Sequence, residues 1–160
     1  MMNNLAVSAI STLDKVDLAI LRIVQKDNQI THAAIGDKIG LSVSAVRRRL
    51  VALRQDGHIS KDVSILRPDT LGVTLVVQIA FREDTQEGYS EFDAHIANLP
   101  NVMQSYHVSG ATDYILIVQG PSLQWYEDWA KENIMSIGAI QRHDTAVVWS
   151  CKKFETAIPL

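Results

Sequence analysis

The stretch IGLSVSAVRRRLVALRQDG, residues 39–57, predicts a short turn followed by an amphipathic helix. Gly40 is suited to end the preceding helix, because glycine readily adopts the left-handed conformation found there, and Ser42 is suited to cap the next one. The apolar side chains that follow recur at i, i+4 and i+7 and predict one buried face: they are Val46, Leu50 and Leu53, with Val43 near the stripe. Helix, three-residue turn and helix is the helix-turn-helix layout.

The opposite face of this helix is polar and basic. At 100° per residue, Ser44 and Arg48 lie away from the apolar stripe. The N-terminal part of a recognition helix reaches base edges in the major groove, where arginine pairs with guanine or with phosphate. We therefore predict DNA contacts to bases from Ser44, Arg47 and Arg48 and to the backbone from Ser42 and Arg49. The alternative is a solvated basic face, since three consecutive arginines also occur in helices that bind nothing.

Two further helices are predicted ahead of the turn. Residues 14–27 carry apolar side chains at helical spacing behind Asp14, a residue type that caps helices. A second helix is predicted from Thr31 to Ile39. Gly36 lies inside it, where glycine costs about 1 kcal/mol relative to alanine.

Charge is unevenly distributed along the chain. Through Arg67 there are ten basic and six acidic residues, whereas from Pro68 onward there are five basic and twelve acidic ones. The formal net charge of −3 is therefore the sum of a basic N-terminal part and an acidic C-terminal part. Such an asymmetry favours a polyanion-binding module joined to a part that does not bind polyanions.

The composition is that of a globular protein with one or two domains: 160 residues, 47% of them hydrophobic. No apolar run approaches the ~18 residues of a membrane-spanning helix, and the first residues lack the pattern of a secretory signal. Cys151 is the single cysteine, and no cluster of cysteine and histidine has metal-ligand spacing. We expect a cytoplasmic protein with no disulfide, metal or cofactor.

The remaining chain predicts a sheet domain behind a linker. Residues 59–71 favour an extended hinge, in which Ile59, Val63 and Ile65 could form a strand. After it, strands and helices are predicted in the order βαββαβ, over residues 73–82, 86–99, 102–110, 113–120, 122–138 and 139–154. This order is the ferredoxin-like arrangement, with two helices on one face of a four-stranded antiparallel sheet.

These elements predict an α+β protein with three segments. They are a helix-turn-helix (winged-helix-like) domain over residues 1–58, a linker over 59–71 and a ferredoxin-like βαββαβ domain over 72–160. The uncovered sheet face is apolar, and self-association is the simple way to keep it from water. The three tryptophans are expected in the core or at an interface: Trp125, Trp129 and Trp149.

The segment SGATDY, residues 109–114, joins two predicted strands and allows two interpretations. A hairpin turn needs only a glycine and a polar residue. A ligand site uses the same kind of kink but requires Asp113 to face a cavity. The residues alone leave both possibilities open.

Six stretches, taken in their order and spacing, resemble the Lrp/AsnC (feast/famine) family of transcription regulators. They are LDKVDLAILRIVQKD, IGLSVSAVRRRLVALRQDGHI, LRPDTLGV, VSGATDYILIV, QRHDTAVV and IPL, which together extend over residues 13–160. The resemblance implies a DNA-binding domain joined to a regulatory domain that binds an effector, most often an amino acid. It also implies homodimers formed through the sheets, often assembled into octamers, that bind double-stranded DNA.

The resemblance further implies an effector site between regulatory domains of neighbouring dimers. The positions that correspond to it are Gly110, Ala111, Thr112, Asp113 and Thr145. Asp113 would face the amino group, and backbone N–H groups of residues 110–112 would face the carboxylate. Each charge of a zwitterion needs its own partner where water is excluded.

An enzyme or ligand-binding module is the alternative, because ferredoxin-like sheets also occur in small oxygenases. No pair of nucleophile and base is visible in the sequence. His143 and Asp144 are adjacent on a predicted strand, so their side chains point to opposite faces and are badly placed to cooperate. We therefore expect a regulator and not an enzyme.

Overall fold

The computed structural model describes residues 13–160, which form two compact units. The first contains residues 13–64 together with residues 154–160, and the second contains residues 65–153. The division falls inside the predicted linker, and the last seven residues group with the first unit and not with the sheet. The expectation about the start of the chain concerns residues outside those described.

Three helices build the first unit: α1, Lys15–Val24; α2, His32–Ile39; and α3, Val43–Gln55. Each begins behind a residue whose side chain accepts a first-turn backbone N–H, and these caps are Asp14, Thr31 and Ser42. Gly40 ends α2 at φ 71°, in the left-handed region that favours glycine. The predicted helix-turn-helix is therefore confirmed.

The apolar stripes of the three helices meet in one core. Its buried members are Ile20, Leu21, Ile35, Val46, Leu50 and Leu53. Val43 lies outside this core with 52% of its surface exposed, so the buried stripe of α3 begins at Val46. No strand occurs within residues 13–64, so the β-wing that a winged-helix-like domain implies is not formed in the described part of this unit.

The predicted linker strand over Ile59, Val63 and Ile65 is wrong. Residues 59–67 form no strand, and Val63 and Ile65 are each more than half exposed. A strand requires a neighbour to satisfy its backbone groups, and residues 13–160 provide none there.

Gly36 has a packing role in the turn between α2 and α3. A Cβ atom built on it would overlap the carbonyl oxygen of Leu41. The amide of Leu41 donates to the carbonyl oxygen of Gly36 at 3.0 Å, which draws the turn onto the helix. The glycine that helix propensity disfavours is thus required by the close approach of the turn.

The second unit begins with a short 3-10 turn, Pro68–Thr70, and then has the predicted order βαββαβ. Its elements are β1, Val73–Phe81; α4, Gln86–Ala97; β2, Val102–His107; β3, Tyr114–Gly120; α5, Leu123–Ala130; and β4, Ile140–Val147. A π-helical turn, Lys131–Met135, follows α5. The strand order is β2-β3-β1-β4 with all neighbours antiparallel, so the ferredoxin-like fold is confirmed.

Side chains along β1 alternate between buried and less buried positions, and this alternation distinguishes the two faces of the sheet. Leu75, Val77 and Ile79 are fully buried on one face, in the same core as Phe92 of α4 and Ile134 after α5. The other face carries side chains that are only partly buried or exposed; those of the two central strands are Thr74, Val76, Gln78, Ala80, Ile115, Ile117 and Gln119. One face of the sheet therefore has no covering layer within this unit.

The tryptophans differ from one another. Trp129 is buried and Trp125 packs partly buried against the same core, as expected. Trp149 follows β4 and is 96% exposed, so it is not a core residue.

No helix within residues 13–160 has the length and apolar character that a membrane-spanning helix requires.

We predict that Gly36→Ala lowers the free energy of unfolding by about 1–3 kcal/mol, the usual cost of overpacking, although alanine is the better helix former. Urea denaturation followed by circular dichroism measures the change. Ala33→Gly, at an exposed position of α2, is the control and should lose only the ~1 kcal/mol of helix propensity. A Gly36→Ala protein as stable as its parent would contradict the packing role.

Candidate functional site

The outer face of α3 presents the first group of predicted site residues. Ser44, Arg47 and Arg48 are all exposed, and within residues 13–160 neither arginine forms a salt bridge. Ser42 accepts the amide of Ala45 at 3.2 Å as the helix cap, and its hydroxyl also lies 3.1 Å from that of Ser44. The arginines therefore keep their full donor sets available at the N-terminal half of α3.

Arg49 differs from its two neighbours. Its Nη1 atom donates to Oδ2 of Asp14 and to Oδ1 of Asp17, each at 2.7 Å. Only 31% of the Arg49 side chain is exposed, against 17% for Asp17. The predicted backbone contact by Arg49 thus concerns a side chain that is already bound within its own unit.

The two aspartates that bind Arg49 also form the capping box of α1. Oδ1 of Asp14 accepts the amides of Val16 and Asp17, and Oδ2 of Asp17 accepts the amide of Asp14. Each carboxylate therefore uses one oxygen for the helix cap and the other for Arg49. The hydrogen bond from the amide of Asp17 lowers the pKa of the Asp14 carboxyl most, and the hydrogen bond from Arg49 lowers it further. The hydrogen bonds to Asp17 and Asp14 raise the pKa of Arg49.

The hairpin with the second group of predicted residues is tied to β1. Gly110 has φ 134°, which favours glycine there. The backbone amide of Asp113 donates to the carbonyl oxygen of Ile79 at 2.8 Å. The backbone carbonyl oxygen of Asp113 accepts from the amide of Val108, also at 2.8 Å. Oδ2 of Asp113 accepts the amide of Phe81 at 2.7 Å, beyond the last β1–β3 pair. The Asp113 carboxylate therefore replaces a backbone acceptor for β1 at the point where its hydrogen-bonded pairing with β3 ends.

Sequence reasoning missed a small polar cluster around Asp113. The Tyr89 hydroxyl lies 2.8 Å from Oδ1 of Asp84 and 3.1 Å from Oδ1 of Asp113. A phenol has one proton to donate, so it serves one of these carboxylates at a time. The bond to Asp84, burial and the bond to Asp113 raise the pKa of Tyr89. The acidic loop after β1 is the only sequence signal for this cluster.

Thr145 lies on the other side of β1. It pairs with Val77, and its hydroxyl lies 2.6 Å from that of Tyr126. Strand spacings place Thr145 and Asp113 roughly 14 Å apart, since they are two strands and about three residues from each other. The structure therefore brings Gly110, Ala111, Thr112 and Asp113 together on one hairpin and leaves Thr145 apart.

Two clefts in the structure lie away from the hairpin and from Thr145. One, of about 380 Å³, is lined in the first unit by residues that include Arg48, Arg49 and His58. The other, of about 310 Å³, lies between α4 and β2 and is lined by residues that include Asp93 and Met103. Neither contains a hairpin residue or Thr145.

Sequence comparison identifies both units. The AsnC-type helix-turn-helix domain matches residues 13–54, and the Lrp/AsnC ligand binding domain matches residues 74–158. The chain belongs to the Lrp/AsnC family. Family members are transcriptional regulators, so the protein is a DNA-binding regulator that carries a domain for a small-molecule ligand.

Two relatives match this chain almost end to end. An HTH-type transcriptional regulator of Sinorhizobium fredii is 36% identical over 150 residues, which are 92% of this chain and 89% of that protein. The glutamate uptake regulatory protein of Zymomonas mobilis is 32% identical over 155 residues, 94% and 93% of the two chains.

Solved structures share the fold over almost the whole chain. The AsnC family transcriptional regulator from Agrobacterium tumefaciens superposes with a TM-score of 0.84 at 31% identity, over 92% of this chain and 97% of that one. A transcriptional regulator from Neisseria meningitidis, solved as an L-Met complex, has a TM-score of 0.83 at 24% identity, over 92% and 96%, and shows the fold alone.

We predict that Asp113→Ala lowers the free energy of unfolding by about 1–3 kcal/mol, because the amide of Phe81 loses its acceptor. Asp113→Asn keeps a carbonyl oxygen for that amide and should lose less. Urea denaturation of the two variants beside the parent measures both effects. Equal losses in the alanine and asparagine variants would show that the hydrogen bond to Phe81 contributes nothing.

Proposed function

We propose that α3 reads operator DNA through Ser44, Arg47 and Arg48. The supporting observation is that both arginines are exposed and unpaired within residues 13–160, while the neighbouring Arg49 is bound to two carboxylates. Unpaired guanidinium groups can form bidentate bonds to guanine or phosphate. Ser42 lies at the helix N-terminus, where its remaining hydrogen-bonding capacity and the helix dipole favour a phosphate. Arg49 leaves the proposed contact set.

We further propose that the effector is an amino acid bound at the hairpin of residues 109–114. Asp113 supplies negative charge, and each of its oxygens retains a second lone pair beyond its bond to Phe81 or Tyr89. Within residues 13–160, the amides of Gly110, Ala111 and Thr112 have no hydrogen-bond acceptor. An anionic side chain beside free amides suits an ammonium and a carboxylate, and one relative is named for glutamate uptake.

The proposed effector site is shared between copies of the chain. The ammonium and carboxylate groups of an α-amino acid are attached to the same carbon and therefore lie close together. Asp113 and Thr145 of one chain are roughly 14 Å apart, too far to contact both groups. Thr145 therefore contributes to a site completed by another copy. The uncovered sheet face, with Val76, Ile115 and Ile117 at its centre, is the surface we propose for the homodimer, from which octamers can assemble.

We infer a cytoplasmic regulator without catalytic activity. Family members are transcriptional regulators, and His143 and Asp144 lie opposite Ile79 and Gln78 of β1, on different faces of the sheet. Their placement does not suit a catalytic pair. No observation in residues 13–160 favours a different function.

We predict that Arg48→Ala weakens operator binding by about 1–3 kcal/mol, the usual value of a bidentate base contact. Electrophoretic mobility shift at several salt concentrations measures this loss and the salt dependence, which should be steep because phosphate contacts release counterions. Lys26→Ala, an exposed cation outside α3, is the control. Unchanged affinity for Arg48→Ala would remove it from the interface.

A thermal-shift screen of the twenty amino acids should identify at least one that stabilises the protein, since a ligand of the folded state raises Tm by mass action. Asp113→Asn should abolish that shift, because the charge facing the ammonium is lost while the bond to Phe81 is kept. Glu91→Gln, exposed on α4, is the control. A full shift in Asp113→Asn would restrict Asp113 to the turn.

A further inference from the structure

The carboxylate pair of Asp14 and Asp17 links the start of α1 to the middle of α3. Both carboxylates reach the same Nη1 atom of Arg49 at 2.7 Å, and each holds a capping hydrogen bond with its other oxygen. A carboxylate fixed at both oxygens has little freedom to rotate. It therefore forms a directional contact for the arginine and not merely a neighbouring charge.

We propose that Arg49 is a positioning residue that sets the rotation of α3 about its own axis and so aims Arg47 and Arg48 at DNA. The inference rests on the proposed use of α3 as the DNA-reading helix. It assigns the three consecutive arginines two tasks. Two point outward to the nucleic acid, and the third is held by the neighbouring helix.

The ion pair adds a directional contact to the packing that sets this rotation. Val46, Leu50 and Leu53 belong to the close-packed core on one side of α3, and Arg49 adds a charged hydrogen-bonded contact at another point around the helix. At a radius of about 5 Å, a rotation of roughly 20° moves a side-chain atom by nearly 2 Å. Such a displacement exceeds the distance range of a hydrogen bond to a base edge.

A phosphate contact is the competing role for Arg49, because its guanidinium keeps N–H groups that the aspartates do not use. The two roles differ in their salt dependence. Loss of a phosphate contact reduces the slope of log K against log salt by about 0.9. Loss of a positioning contact leaves the slope unchanged but weakens specific binding more than non-specific binding.

The test compares full-length Arg49→Ala with the parent on operator DNA and on unrelated duplex DNA, over a range of salt concentrations. We expect the ratio of specific to non-specific affinity to fall roughly tenfold, as for one lost base contact, with the salt slope unchanged. Asp17→Asn should lower the ratio in the same direction but less, since it removes the charge and leaves a single carbonyl oxygen for both Arg49 and the amide of Asp14. The double variant should lose no more than Arg49→Ala alone.

Two results would overturn the proposal. A slope reduced by about 0.9 in Arg49→Ala but not in Asp17→Asn would make Arg49 a phosphate contact. An unchanged specificity ratio in folded variants, checked by circular dichroism, would make the ion pair a stability element only. Arg48→Ala in the same assays separates the questions, because its failure to alter binding would instead reject α3 as the reading helix.

Discussion

The bond from one guanidinium nitrogen to two carboxylates organises the first unit. Asp14 and Asp17 are three residues apart, so their mutual hydrogen bonds begin α1, and their remaining oxygens converge on Arg49 of α3. The start of one helix and the middle of another are thereby defined together. The turn between α2 and α3 adds the second constraint, since it lies against Gly36 too closely for any side chain. The outward face of α3 follows from its buried apolar stripe, and these two contacts act on the same helix.

The second unit depends on a carboxylate that has both a structural and a proposed binding task. Asp113 substitutes for a missing strand partner by accepting the amide of Phe81, and it shares the hydroxyl proton of Tyr89 with Asp84. A ligand ammonium placed there supplies donors that the single phenol cannot. Binding at this position would therefore satisfy carboxylate oxygens that compete for one proton in the free protein, a favourable exchange in a partly buried site.

Features determined by neighbours in the sequence could be predicted, and features determined by packing could not. The caps Asp14, Thr31 and Ser42 act within three residues, so residue type and spacing revealed them. The order βαββαβ likewise followed from alternation and turn residues. The ion pair of Arg49 could not be predicted, because its partners lie 32 and 35 residues away in the sequence. The contact of Asp113 with Phe81 and the exposure of Trp149 also depend on tertiary structure.

The separation of Asp113 from Thr145 bears on how such a regulator responds to its effector. If both residues contact one amino acid, the site exists only where two copies of the chain meet. Ligand binding then stabilises the assembly, and by thermodynamic linkage assembly raises the affinity for the ligand by the same factor. The number of α3 helices held together for DNA binding would change with effector concentration, even if no helix altered its conformation. Regulation of this kind needs no deformation of the core in either unit, since it acts through the population of assembled chains.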